Sequence, residues 1–353
     1  MTSVFALANV FQPFPARVHG GADQHGVPRY DFSVNSHVVG PCPAAQAAVA
    51  LVDASCYPDA SYTALRMQLA NFHGVDISRV QLAVSASEFI FRITAVAALQ
   101  RARAVWLPTH SYGDYAQAAY AHELKPTASL RDASLLWACE PSSPLGQSQA
   151  NIDEWLEAVD DGAIGILDRA YEPLRLDCSS SFSEAQLQRV WQLWTPNKAL
   201  GLTGVRAAYA IAPINCAPAM LLQLEQLCPS WPIGAHGVAL LNAWVQAEVQ
   251  SWLTASLDTL RLWKTQQLAL CEAMAWTCLP SQTNFYVARP NLPVGLSLAR
   301  ALSDLRAEGI KLRDTSSFGL PDHVRLSVQP PAAQCALQTA WAHVLAEHQK
   351  VDL

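Results

Sequence analysis

Lysine is scarce in this chain: Lys125, Lys198, Lys264, Lys311 and Lys350 make five, against eighteen arginines. One of them, Lys198, sits in the segment Thr195-Pro-Asn-Lys-Ala-Leu-Gly-Leu-Thr-Gly-Val-Arg206. That setting of hydroxyl, turn-forming and small residues, closed by an arginine, differs from a solvated surface lysine. A lysine amine can carry a carbonyl compound as a Schiff base. The aldehyde that exploits this most widely in enzymes is pyridoxal 5'-phosphate. Its site needs a carboxylate at the pyridine nitrogen, a phenol near the ring oxygen and donors for the phosphate.

Each of those roles has a candidate. Asp168 ends the apolar run 163–167, which places a carboxylate at the carboxyl edge of an expected parallel strand, where open α/β sheets bind ligands. Tyr171 follows three residues later and can offer its hydroxyl at the same edge; taken alone it would read as a packing tyrosine. The turn Ser85-Ala86-Ser87-Glu88 opens a helical pattern, with Ser87 read as its cap, and presents free amide groups to an anion. Arg206 supplies a planar fork and Thr195 a hydroxyl for the same phosphate.

Other chemistries lose support. The sequence contains no G-x-G-x-x-G, no phosphate-binding G-x-x-x-x-G-K-[ST], no H-E-x-x-H and no G-x-S-x-G. Histidines are dispersed, and His343 and His348 are badly spaced for one metal on one helix face, so no metal site is expected.

These residues need a scaffold, and the chain has one to offer. Its 353 residues are 51% hydrophobic and only 15% charged, enough for a substantial core and against disorder. A net charge of −6 with no basic block gives no footprint for nucleic acid. The nine cysteines include no C-x-x-C pair, which favours reduced thiols and a cytoplasmic location. The apolar run 4–11 lacks a preceding basic residue and does not read as a signal peptide. Pro213, Asn215 and Pro218 interrupt the uncharged stretch 207–224, so strand and loop are expected there instead of a membrane span.

Short apolar runs at 80–84, 104–107, 135–139, 163–167 and 207–212 read as buried parallel strands, separated by amphipathic helices such as 87–101 and 152–160. A long helical zone, 237–274, follows. After it come strand candidates at 284–287, 310–313 and 324–328, with helices at 295–308 and 332–348. The expected fold is α/β: a large domain with a mostly parallel central sheet between helices, plus a smaller α+β domain. The expected organisation is an N-terminal arm over 1–44 that packs with the small domain, a large domain over 45–255 and a small domain over 256–353.

The lysine segment resembles that of the class I/II, fold type I pyridoxal-phosphate aminotransferases. Cys139-Glu-Pro-Ser-Ser-Pro-Leu-Gly146 resembles that family's N-P-N-N-P-T-G loop, and Asp168-Arg-Ala-Tyr171 its D-E-A-Y motif. Tyr57-Pro-Asp-Ala-Ser-Tyr-Thr-Ala-Leu-Arg66 resembles its Y-P-D segment, and 309–328 its C-terminal region with two substrate arginines. The branch it resembles is that of histidinol-phosphate aminotransferase and threonine-phosphate decarboxylase. The second of these is suggested by His19-Gly-Gly21 and by Asp31-Phe-Ser-Val-Asn35, although His37-Val38 replaces the usual Asn-Pro.

Carried over by position, the resemblance implies that Lys198 forms the internal aldimine and shuttles the proton in a 1,3-transfer. Asp168 pairs with the ring nitrogen, Tyr171 and Ser143 face the ring oxygen, and Tyr115 stacks on the ring face. Ala86 and Ser87, Thr195, Asn197 and Arg206 hold the phosphate, and Tyr57 reaches in from a second subunit of a homodimer. Arg325, assisted by Arg313, holds an anionic group of the substrate, and His19, Gly21 and Asn35 belong to a closing arm. Three positions depart from the family pattern: Ser143 for an asparagine, Asn197 for a serine and Arg169 for a glutamate.

The first functional reading is therefore an aminotransferase acting on an amino acid or phosphorylated amine, with a small-molecule amino donor and keto acceptor. A threonine-phosphate decarboxylase-like enzyme is the alternative, and release of carbon dioxide would distinguish it. A cofactor-binding protein with little catalysis is the third, motivated by the three departures.

Overall fold

The structure is a computed structural model that describes residues 19–351; the apolar run 4–11 and the first part of the expected arm lie outside these residues. The apolar runs assemble into a seven-stranded sheet. Its order is Val80–Ala83, Ala208–Ile211, Trp191–Trp194, Ile164–Asp168, Leu135–Cys139, Ala104–Trp106, Lys125–Pro126. Ala208–Ile211 runs antiparallel to both neighbours, and the other pairings are parallel. The expectation that 207–212 is parallel is thereby corrected: an apolar run encodes burial on two faces, not direction.

Alternation within a strand sends successive side chains to opposite faces. Trp137, Ile166 and Leu193 pack with Phe89 and Tyr115 on one side, while Leu136, Ala138 and Leu167 pack with Trp155 and Phe182 on the other. The sheet is thus covered on both faces, as the expected α/β class requires. The strand Trp191–Trp194, unforeseen from the pattern, carries the buried Gln192, whose amide is satisfied by Arg169 and by the Leu187 carbonyl.

The helix over Ala86–Leu99 begins one residue earlier than expected, and its cap is Ser85 instead of Ser87. Ser85 has extended backbone, and its side chain accepts from the Glu88 amide at 3.1 Å. After Ala208–Ile211 the chain forms a further helix, Pro218–Gln226, opened by a proline in its first turn, where only loop was expected. Among the described residues no helix is long and apolar enough to cross a membrane.

A second, four-stranded antiparallel sheet has the order Arg313–Asp314, Val324–Ser327, Phe285–Arg289, Thr277–Cys278. The expected run 310–313 is split: Ile310–Lys311 leaves this sheet and pairs in parallel with Tyr30–Asp31 of the N-terminal segment. The helical zone resolves into Ala235–Trp244 and the 27-residue Ala247–Ala273. The boundary expected between 255 and 256 therefore falls inside one continuous helix, because the helical periodicity does not break where the two sheets part company.

The N-terminal segment is stitched to both halves. The Phe32 amide donates to the Lys311 carbonyl and its own carbonyl accepts from Ser327, while the His37 and Cys42 amides donate to the carbonyls of Lys198 and Leu200. Gly201 has a φ of +68° and meets Gly40 and Pro41 so closely that a Cβ would lie 3.0 Å from their main-chain atoms.

Candidate active site

Parallel strands end on one edge of the sheet, and the candidate residues gather there. Asp168 closes Ile164–Asp168 and lies beside Cys139 on one neighbouring strand and Leu193 on the other. The Cys139 strand leads into the loop bearing Ser143, and the Leu193 strand leads into the turn bearing Lys198. The Ser85 turn follows Val80–Ala83 at the same edge of the sheet.

Asp168 is only 5% exposed. Its Oδ2 accepts from the Tyr115 hydroxyl at 2.6 Å and its Oδ1 from the Ala170 amide at 2.9 Å. Burial raises its pKa above the ordinary carboxylate value, and those two donors, with the charge of Lys198, pull it back down. The Lys198 ammonium stands 5.5 Å from the centre of the Tyr171 ring, and the side chain makes no hydrogen bond or ion pair. The Tyr171 hydroxyl accepts from the Asn35 side chain at 3.4 Å, and its ring meets Phe285 edge-on at 4.7 Å. Lysine, carboxylate and phenol are thus brought together.

At the phosphate candidates, Ala86 and Ser87 are the first two residues of their helix, so their amides have no intrahelical acceptor. The Ser87 hydroxyl bonds that of Tyr112 at 3.1 Å. The Thr195 hydroxyl and the Asn197 Oδ1 are buried without a partner, and the Asn197 Nδ2 donates to the carbonyls of Thr203 and Val205. Arg206 is exposed and makes no hydrogen bond or ion pair.

Opposite them, Arg325 is buried and donates to the Ser143 hydroxyl at 3.2 Å and to the Ser33 carbonyl at 3.1 Å, while its Nε has no partner. Burial lowers its pKa. Arg313 lies directly across the strand pair from it, donating to the Asp314 carbonyl and the Ser317 hydroxyl. Burial and then the charge of Arg325 bring the pKa of Arg313 down to about 10. Asn35 is buried with its Oδ1 unpartnered. The Gly21 amide donates to Ser33 and its carbonyl accepts from Lys311, and His19 lies 6.4 Å from the Tyr112 ring.

One sequence expectation ends up elsewhere. Tyr115 is fully buried beneath Asp168, stacked on Trp137 with ring centres 4.3 Å apart, and has no free face to lay on a ligand. It is the third residue of the helix Gly113–Ala121, and with Ala118 and Ala119 it forms that helix's buried stripe. Tyr112, which precedes the helix, is the aromatic side chain beside Ser87, and sequence reasoning missed it; the buried stripe was the signal that separates the two tyrosines. Tyr57 is 78% exposed and stacks on Trp231 at 4.5 Å.

Arg169 turns away from the site. Its guanidinium lies 4.5 Å over Trp194, bonds Gln192 and pairs with Glu172. The loop bearing Ser143 is fixed by the buried pair of Glu140 with Arg175, at 3.0 Å. The donor set fits pyridoxal 5'-phosphate: an amine without partners, a buried carboxylate held by two donors, a neighbouring phenol, the orphaned Thr195 hydroxyl, and the unpaired amides of Ala86 and Ser87 at a helix N-terminus.

Comparison with known proteins identifies the family and the fold. The family model for aminotransferase class I and II matches residues 123–337. Histidinol-phosphate aminotransferase 1 of Thiobacillus denitrificans is 28% identical over 334 residues, covering 88% of this chain and 84% of that protein. Among solved structures, histidinol-phosphate aminotransferase from Sinorhizobium meliloti in complex with pyridoxal-5'-phosphate superposes with a TM-score of 0.71 at 20% identity, over 89% of this chain and 90% of that one. L-threonine-O-3-phosphate decarboxylase from Porphyromonas gingivalis does so with a TM-score of 0.74 at 18% identity, over 89% and 99%. The fold is therefore that of the fold type I transferases, and since the family model spans more than half of its length, the chain belongs to the class I and II aminotransferases.

Proposed function

We propose that this aminotransferase uses pyridoxal 5'-phosphate, joined to Lys198, to move an amino group from a phosphorylated or otherwise anionic amine to a keto acceptor. The observation that carries the reading is the approach of Lys198 to Tyr171 and Asp168 at the sheet edge, with the buried Arg325 facing the same loop. When bound, the cofactor supplies an electron-withdrawing ring that stabilises negative charge at the substrate carbon.

The chain's own residues do the rest. With the cofactor bound and the donor in place, the Lys198 amine would take the proton from the substrate carbon and return it two atoms along, beyond the intervening nitrogen. Asp168 keeps the ring nitrogen protonated, while Tyr171 and Ser143 address the ring oxygen. Ala86 and Ser87 amides, Thr195, Asn197 and Arg206 hold the phosphate. Tyr112 takes the ring-covering role first assigned to Tyr115. Arg325 and Arg313 hold the substrate's anionic group, and the segment containing His19, Gly21 and Asn35 screens it from water. In this reading the chain works as a homodimer, with the exposed Tyr57 entering the site of a second copy. The division into arm, large domain and small domain is kept, with their junction inside Ala247–Ala273. Nine free cysteines support a cytoplasmic location.

The test is an absorbance titration of the protein with pyridoxal 5'-phosphate, followed by a panel of amino acids and phosphorylated amines. A visible band that Lys198→Ala lacks, and a donor-dependent shift accompanied by keto product, are expected. A wild-type protein without band or shift overturns the reading. The N-terminal segment beside Tyr112 and its carbonyl bond to Arg325 favour a second reading, decarboxylation of a phosphorylated amino acid, for which released carbon dioxide is the signature.

A further inference from the structure

We propose that Tyr115 is a positioning residue that acts through Asp168, holding its carboxylate ionised and oriented toward the ring nitrogen of the cofactor. This rests on the reading of Asp168 as the partner of that nitrogen.

Three features of the structure support it. The first is the bond itself: the hydroxyl lies 2.6 Å from Oδ2, the length of a charge-assisted O–H···O⁻ bond. Ala170 occupies Oδ1 from its amide, so each oxygen has one fixed donor and the carboxylate plane cannot turn freely. The second is that the tyrosine is immobilised. Its ring lies parallel to Trp137, with an interplanar angle of 11°, and meets Tyr112 edge-on at 5.8 Å. No solvent reaches it, so water cannot replace the hydroxyl.

The third is the direction of the proton. Burial and the charge of Asp168 both raise the Tyr115 pKa well above its ordinary value, so the phenol stays a donor. The Cys139 sulfur also lies beside the hydroxyl, but its thiol donates to the Pro141 carbonyl at 3.4 Å, so it offers Asp168 no proton of its own. A buried carboxylate without such donors would take up a proton and lose its hold on a protonated ring nitrogen.

Removing the hydroxyl in Tyr115→Phe keeps the ring and its stacking. A hydrogen bond to a charged group is worth roughly tenfold to a hundredfold in an equilibrium. Tyr115→Phe is therefore expected to weaken binding of pyridoxal 5'-phosphate, followed by absorbance and tryptophan fluorescence, by about tenfold or more. It should lower kcat while leaving the KM for the amino donor within about twofold.

In an Asp168→Asn background the same change should have no further effect on cofactor affinity, since the charge that Tyr115 serves is gone. Tyr112→Phe, which removes a hydroxyl bonded to Ser87 and not to Asp168, provides the matched control: any change it makes in cofactor affinity should be the same factor in the wild-type and Asp168→Asn backgrounds. Equal losses from Tyr115→Phe in both backgrounds, or no loss in either, overturn the proposal. If Lys198→Ala retains the visible band and Asp168→Asn binds the cofactor like wild type, the underlying reading of the site fails instead, so the two failures are told apart.

Discussion

Arg313 and Arg325 occupy directly opposed positions on adjacent antiparallel strands, and both guanidinium groups lie over the ring of Phe318, at 5.0 Å and 5.7 Å from its centre. Like charges opposed across a strand pair repel one another. Phe318 lends each a favourable face, and its carbonyl is fastened to His110 at 2.7 Å, which holds the ring in place. In the proposed function, an anion settling beside both cations would relieve the repulsion, which suits a ligand of more than one negative oxygen.

Arg325→Gln is accordingly expected to raise the KM for an anionic donor about a hundredfold, and Arg313→Gln about tenfold, with smaller effects on kcat. With pyridoxal 5'-phosphate already bound, inorganic phosphate should raise the Tm of the wild type and have little effect on Arg325→Gln. Steady-state kinetics and thermal scans with and without phosphate check both statements.

Thr195 offers a prediction in which stability and binding move in opposite directions. Its buried hydroxyl has no partner, a cost in the cofactor-free fold that the isosteric Thr195→Val removes. Thermal denaturation without cofactor should show Thr195→Val equal to or more stable than wild type. Its affinity for pyridoxal 5'-phosphate should nevertheless fall, by about tenfold.

Acid should loosen the fold through two histidines. Burial pushes the pKa of both His37 and His73 down to about 4, with Arg169 adding to the effect at His73. His37 is bonded to Ser256 at 2.7 Å and His73 to Tyr209 at 2.9 Å. A depressed histidine pKa means that the unfolded chain, titrating near 6.5, binds the proton first. Their stabilising contribution is complete above pH 6.5 and declines as the pH falls toward 4, on the order of 2 kcal/mol for each by pH 5. Urea unfolding at pH 7 and pH 5 measures it, and His37→Gln should flatten the difference.

Asp23 ties the N-terminal segment to the small half by pairing with Arg306 at 2.9 Å and Lys311 at 2.9 Å. Those two cations hold its carboxyl well below the usual range. Asp23→Asn should raise the KM of the donor with little change in kcat, and should expose residues 22–29 to limited proteolysis.

What the sequence made legible was local. The carboxylate at a strand end, the lysine turn and the helix opening are each a few residues long, and Asp168, Lys198 and Ser87 stand at one sheet edge because parallel strands finish there. What it hid depends on the third dimension. Tyr112 and Tyr115 lie three residues apart, and only the packing of one helix face decides which enters the core. Gln192 masked a buried strand because its amide finds partners that no pattern reveals. Pairing direction at Ala208–Ile211 is likewise absent from hydropathy.

The stitching of residues 30–42 has a mechanical consequence. One end of this strap is bonded to strands of the small half, and the other grips the carbonyls of Lys198 and Leu200. Any rotation of the small half against the large sheet therefore pulls directly on the turn that bears the amine. The amine is thus mounted on a lever instead of a fixed wall, and the strength of that lever sets how far a displacement of the small half would be felt at a single nitrogen.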